Sequence, residues 1–233
     1  MLEETLKNGL IELGLPAEAD AVSRFRAYYD ALSAANRVMN LTAISGEDET
    51  ARLHFLDSAA PLLLFPMEGA AVIDVGAGAG FPGLPLKLLV PSLSLTLLDS
   101  QRKRVDFLES VRASLGLEGV ACVHGRAEDC GERRERYDFA VSRAVARLNV
   151  LCELCLPYVK PGGAFLALKG PAVTEELREA ERAIPALGGA VERVFDYAIP
   201  GGDERHNIVV IRKTASTPKK YPRAFAQIKK TPL

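Results

Sequence analysis

No stretch of the 233 residues approaches the roughly 20 consecutive apolar side chains that a membrane-spanning helix requires. The longest candidate, Ala59 to Phe65, is interrupted by Pro61 and ends at Pro66. The N-terminus, MLEETLKNGLIEL, alternates charged and apolar residues and lacks the basic-then-apolar order of a secretory leader, so a cytoplasmic location is expected. Cysteine is scarce: Cys122, Cys130, Cys152 and Cys155 are too few for a disulfide scaffold. Cys152 and Cys155 form a CxxC, but no second CxxC or HxxxH completes a metal site. LNVLCELCLPYV reads instead as an amphipathic helix with buried thiols. The three histidines, His54, His124 and His206, lie far apart in sequence, and no metal is expected.

Net charge is also nearly absent, at −1, but its distribution is not even. Residues 205–233 carry eight Lys or Arg and no acid, whereas the rest holds 21 basic against 30 acidic residues. An acidic body with a basic end points to a polyanion partner. The 48% apolar and 25% charged content is that of a folded chain.

Residues 1–69 read as a helical extension, with Leu2, Leu6, Leu10 and Leu13 on one stripe and a second helix over 17–35. Asn40-Leu41-Thr42 reads as a turn, and Ser45 or Asp48 as the cap of a further helix through His54 and Asp57. From Ala70 the period changes. Short buried runs (AAVIDVG, LSLTLLD, GVACVHG, YDFAVSRA, GGAFLALKG) alternate with helices over 84–89, 102–115, near 128–136 and over 148–159. A further helix over 174–187 precedes AVERVFDYAI and HNIVVIRK, which close the sheet as a hairpin. The expectation is an α/β domain over 70–213, a seven-stranded, mostly parallel sheet with an antiparallel last strand. Residues 214–233 form a basic tail.

The segment VIDVGAGAGFPG, residues 72–83, runs a buried strand into glycines that permit a tight turn and close approach of a ligand. Gly78, Gly80 and Gly83 satisfy GxGxxG, so a dinucleotide reading stays open. The strand, however, delivers the chain to Gly76, giving Asp74-x-Gly76-x-Gly78-x-Gly80. That register resembles class I S-adenosylmethionine (AdoMet) methyltransferases. A carboxylate at Asp74 suits an amine-bearing ligand and is a poor neighbour for pyrophosphate. Asp99, 23 residues past Gly76, is placed to accept ribose hydroxyls, a feature NAD enzymes share. Ala127 and Glu128, after the third strand, are placed to pack on adenine and bond its amine. Asp129 reads as a solvated loop acid. Ser142-Arg143-Ala144, after the fourth strand, lies over the sulfonium and the acceptor.

DVGAGAGFPGLPLK, GRAED, YDFAVSRAVA, LCLPYVKPGGAFLALKG and RHNIVVIRKTASTPKKYPR, with NLTAI and HFLDS upstream, resemble the bacterial 16S rRNA (guanine-N7) methyltransferase family, glucose-inhibited division protein B. The match is colinear from about Asn36 to Arg223. The resemblance implies methyl transfer from AdoMet to N7 of a guanine in the 530 loop (position 527) of 16S rRNA. It also places Gly76, Phe81, Ala127, Glu128 and Arg143 on the family's AdoMet-contacting positions.

No Asn/Asp-Pro-Pro-aromatic follows the fourth strand, where amino-group methyltransferases carry it, and none of the cysteines qualifies as a pyrimidine-carbon nucleophile. Both fit guanine N7, which has a lone pair and no proton to lose, so positioning replaces a general base. Arg143 is expected to grip a phosphate or the cofactor carboxylate. Lys169, Arg205 and His206 are candidates for the rim where RNA enters. In the tail, Lys219, Lys220 and Arg223 would neutralise phosphates. Tyr221 would stack on a base or plug against the body. Asn40, His54 and Asp57 lie beside the cofactor pocket or serve only packing and capping. A nicotinamide-dependent oxidoreductase and a non-catalytic RNA-binding module are the competing readings. The partner is 16S rRNA or the small subunit, with no membrane, and a monomer is the simplest expectation.

Overall fold

The computed structural model describes all 233 residues. The seven period-two segments pair as one sheet in the order β3-β2-β1-β4-β5-β7-β6. They are β1 (Ala71–Val75), β2 (Ser94–Asp99), β3 (Val120–His124), β4 (Tyr137–Arg143), β5 (Val159–Lys169), β6 (Gly189–Ala198) and β7 (Arg205–Lys213). β1 pairs in parallel with β2 and β4, and only β7 runs against its neighbours. The expected sheet is therefore the one observed. The winding reverses between β1 and β4, so a crevice opens at their carboxyl ends, where sheets of this kind bind ligands.

Side chains on successive strand positions feed two cores. Val72, Val141, Leu166 and Val210 face one. Ile73, Ala140, Phe165 and Val209 face the other. The first core is covered by α1 (Leu2–Glu12) and α2 (Ala19–Met39): of the anticipated stripe Leu2, Leu6 and Leu10 are buried and Leu13 is partly buried just past α1, and Phe25 and Tyr28 of α2 join them. Asn40 ends α2 in the left-handed region, at φ 50°. A helical run over residues 47–63, here α3, is π-wound across Thr50–Leu56. That winding buries His54, Phe55 and Asp57 together. The remaining helices are α4 (Gly83–Leu89), α5 (Arg102–Ser114), α6 (Leu148–Cys155), α7 (Val173–Glu179), α8 (Ala183–Ala186) and α9 (Phe225–Lys230).

Three local readings change. The helix expected near 128–136 is a single 3₁₀ turn, Gly131–Arg133, because Gly131 at its start and Glu135 just beyond it take positive φ. The helix over 174–187 breaks into α7 and α8. Residues 214–233 are not a free tail: Tyr221 and Ile228 are buried in the second core, and Arg134 Nη1 donates to Tyr221 O at 2.8 Å. Glu153, fully buried on α6, holds Arg223 through Nη2 at 2.6 Å. No helix is long and apolar enough to cross a membrane.

Candidate active site

A cavity of about 540 Å³ opens at the carboxyl ends of β1 to β4, its walls built from the loops that follow these strands and from residues of the helices around them. The glycine loop forms its floor. Gly76 leaves β1 at φ +76°, and its N–H donates to Leu98 O at 2.8 Å. The Gly78 N–H donates to Asp99 Oδ2 at 2.9 Å, and a Cβ there would meet nothing closer than 3.9 Å, so this face stays open. Asp99, almost fully buried at the end of β2, also accepts the Gln101 N–H on Oδ1 at 2.8 Å. Each carboxylate oxygen keeps a lone pair for a ligand hydroxyl.

Asp74 lies beneath this loop, fully buried. Its Oδ2 accepts the Gly83 N–H at 2.8 Å, while Oδ1 has no partner. Burial pushes its carboxyl up to about 7. A Cβ at Gly83 would fall 2.7 Å from Leu97 and 2.9 Å from Asp74, so this glycine packs helix to strand. Its amide is engaged by a carboxylate, which disfavours the register that would seat a pyrophosphate there. The open face at Gly78 and the Asp99 carboxylate, both on the cavity wall, fit a nucleoside such as AdoMet.

Opposite the loop, three segments distant in sequence converge. Arg143, at the end of β4, donates from Nη1 to Leu53 O at 3.0 Å and to Asp57 Oδ2 at 2.7 Å. Its Nη2 donates to His54 Nδ1 at 3.0 Å, and the guanidinium lies 5.0 Å from the centroid of Phe81. His54 stacks on the same ring at 4.3 Å. Burial, together with Arg143, drives His54 down to about 3, so it is neutral. Asp57 Oδ1 accepts from Tyr197 Oη at 2.7 Å and from His206 Nδ1 at 2.8 Å. Although burial pushes Asp57 up, the His206 hydrogen bond, Arg143 and Tyr197 outweigh it and hold the carboxyl low. The same contact raises His206.

Gly76, Gly78, Phe81, Asp99, Ala127, Glu128 and Arg143 all line the cavity. Asp74 and Gly80 sit behind the wall, Gly80 against Leu84 and Tyr28. Of the residues weighed for the RNA rim, Lys169 is buried, donates to Ala146 O at 2.7 Å and pairs with Glu176. Arg205 pairs with Asp196 through Nε at 3.0 Å, His206 is committed to Asp57 and Arg223 to Glu153. Lys219 and Lys220 are exposed. Tyr221 is the plug, Asp129 is exposed, and His124 is an exposed strand-end residue. Sequence reasoning placed Thr42 only in a turn, and Phe225, from α9, only in a basic tail, yet both line the cavity.

The model of the family described as GidB, rRNA small subunit methyltransferase G, matches residues 21–207. The chain belongs to that family. As a methyltransferase G it is an AdoMet-dependent enzyme of small-subunit rRNA. It is 49% identical over 232 residues to the ribosomal RNA small subunit methyltransferase G of Alkaliphilus metalliredigens, covering 98% of this chain and 97% of that protein. It is 45% identical to the namesake of Lactobacillus johnsonii over the whole of both chains. Among solved structures, a SAM-dependent methyltransferase from Aquifex aeolicus superposes with a TM-score of 0.51 at 21% identity, over 70% of this chain and 92% of that one. The precorrin-6y C5,15-methyltransferase of Geobacter metallireducens gives 0.52 at 16% identity, over 67% and 87%. The methyltransferase G chain thus shares their fold.

Proposed function

We propose that the enzyme methylates N7 of a guanine in the 530 loop of 16S rRNA, acting as a cytoplasmic monomer on naked RNA or the small subunit. One observation carries this reading. His54 and Arg143, the ionisable groups packed on Phe81 at the cavity wall, have no free basic lone pair. His54 Nδ1 accepts from Arg143, and its Nε2 proton is directed at Thr42. Neither His54 nor Arg143 can remove a proton from an amino group, and guanine N7 has none to lose. AdoMet, when bound, supplies an electrophilic methyl group on its sulfonium.

The chain's own residues then have positioning roles. Asp99 accepts ribose hydroxyls, Ala127 and Glu128 hold the adenine with Phe225 as a further wall, and Phe81 and His54 form an apolar face beside the acceptor. Arg143 has three donors engaged by Leu53, His54 and Asp57, leaving its Nε–H and one Nη2–H for the cofactor carboxylate or a phosphate. Lys219 and Lys220 meet RNA phosphates.

The test is borohydride reduction and aniline cleavage of 16S rRNA treated with enzyme and AdoMet. A cut in the 530 loop is expected. Methyl incorporation without that cut would overturn the N7 assignment, and incorporation elsewhere in the rRNA would overturn the loop.

A further inference from the structure

Thr42 lines the cavity in the turn between α2 and α3, with its backbone fixed in both directions by Asn36. The Thr42 N–H donates to Asn36 Oδ1, and Asn36 Nδ2 donates to Thr42 O, each at 2.9 Å. The direction of its side-chain bonds follows from chemistry alone. Arginine can only donate, so His54 Nδ1, 3.0 Å from Arg143 Nη2, must be an acceptor. A neutral imidazole accepting on Nδ1 carries its proton on Nε2. The Nε2–H therefore donates to Thr42 Oγ1 at 2.7 Å, and not the reverse. The Ile44 N–H donates to the same oxygen at 3.0 Å. Both lone pairs of the hydroxyl are then occupied, and its proton meets no acceptor of the protein.

We propose that Thr42 is a hydrogen-bond donor to a carbonyl-type oxygen bound at this end of the cavity: the carboxylate of AdoMet or O6 of the target guanine. The inference rests on the methyl-transfer reading above. The Arg143 bond to His54 fixes the tautomer, the tautomer fills the Thr42 acceptor sites, and the hydroxyl proton is left free for a ligand. A donor held this way discriminates strongly, because a ligand lacking the oxygen leaves it unpaired.

Thr42→Val and Thr42→Ser in the full chain, compared with wild type, test it. If the acceptor is the carboxylate, calorimetry shows Thr42→Val binding AdoMet about 10-fold more weakly, with Thr42→Ser within about three-fold of wild type. If it is O6, AdoMet affinity holds, and Thr42→Val loses about 10-fold or more in kcat/KM on small subunits, again restored by serine. In that second case the wild type also loses rate on subunits carrying 2-aminopurine at the target, and Thr42→Val shows no additional loss. Thr42→Ala, which lets water reach His54 Nε2–H, replaces valine if valine lowers Tm substantially.

The proposal is overturned if valine or alanine matches wild type in both measurements, or if serine falls as far as valine. A wild type that binds AdoMet but leaves rRNA unmethylated overturns the proposed function instead. The affinity measurement then decides Thr42 alone, and an unchanged affinity overturns this inference as well.

Discussion

Asp57 ties Arg143, Tyr197 and His206 into one buried group, and its removal leaves a guanidinium without a counter-charge. Asp57→Ala is expected to lower unfolding free energy by about 3–5 kcal/mol, read by urea denaturation. Two other buried residues pull the response to pH in opposite directions. His54 titrates near 6.5 when unfolded and at about 3 when folded, so its contribution to stability falls as pH drops through that interval. Asp74 titrates near 3.8 when unfolded and at about 7 when folded, so its contribution falls as pH rises through nearly the same interval. The two slopes oppose each other in the wild type. Asp74→Asn should make stability climb from about pH 4 to 6, and His54→Asn should make it decline, as followed by melting temperature across that range. Parallel curves for the two variants would contradict the assignment.

At the scale of elements, α2 does more than cover the sheet. Tyr28, fully buried, donates its hydroxyl to Ala79 O in the glycine loop at 2.5 Å. Tyr28→Phe leaves that carbonyl without its partner and should lower stability by about 1–3 kcal/mol, with weaker AdoMet binding by calorimetry. The glycine loop and β1 were legible in the sequence because a buried run ending in Gly76, Gly78 and Gly80 has few other physical solutions. The sheet was legible because strands and helices change hydrophobic period. The turn at Gly131–Arg133 was not, since Gly131 and Glu135 leave the helical region without a proline or a change of pattern to mark it. Thr42 and Phe225 were equally hidden. Nothing local distinguishes them, and they reach the cavity only through packing between segments far apart in the chain.

Across the whole molecule, the charge asymmetry read from composition turns out to be only partly available to a partner. Lys213 is buried against Glu135 and Thr217, and Arg223 against Glu153, whereas Lys219 and Lys220 face outward. Replacing Lys219 and Lys220 with Gln should weaken binding to rRNA and reduce the slope of log affinity against log salt by about 0.7–0.9 for each phosphate no longer neutralised. An unchanged slope would remove them from the interface. Arg223 and Lys169 illustrate why position in sequence misled: basic residues near the end of a strand or chain look solvated until a buried acid, here Glu153 or Glu176, is found against them. The Tyr28 bond and the stacking of His54 on Phe81 have a further consequence. Anchorage of the helical extension and occupancy of the crevice belong to one equilibrium, so adding AdoMet should slow amide hydrogen exchange throughout α2, a helix with no residue in the cavity wall.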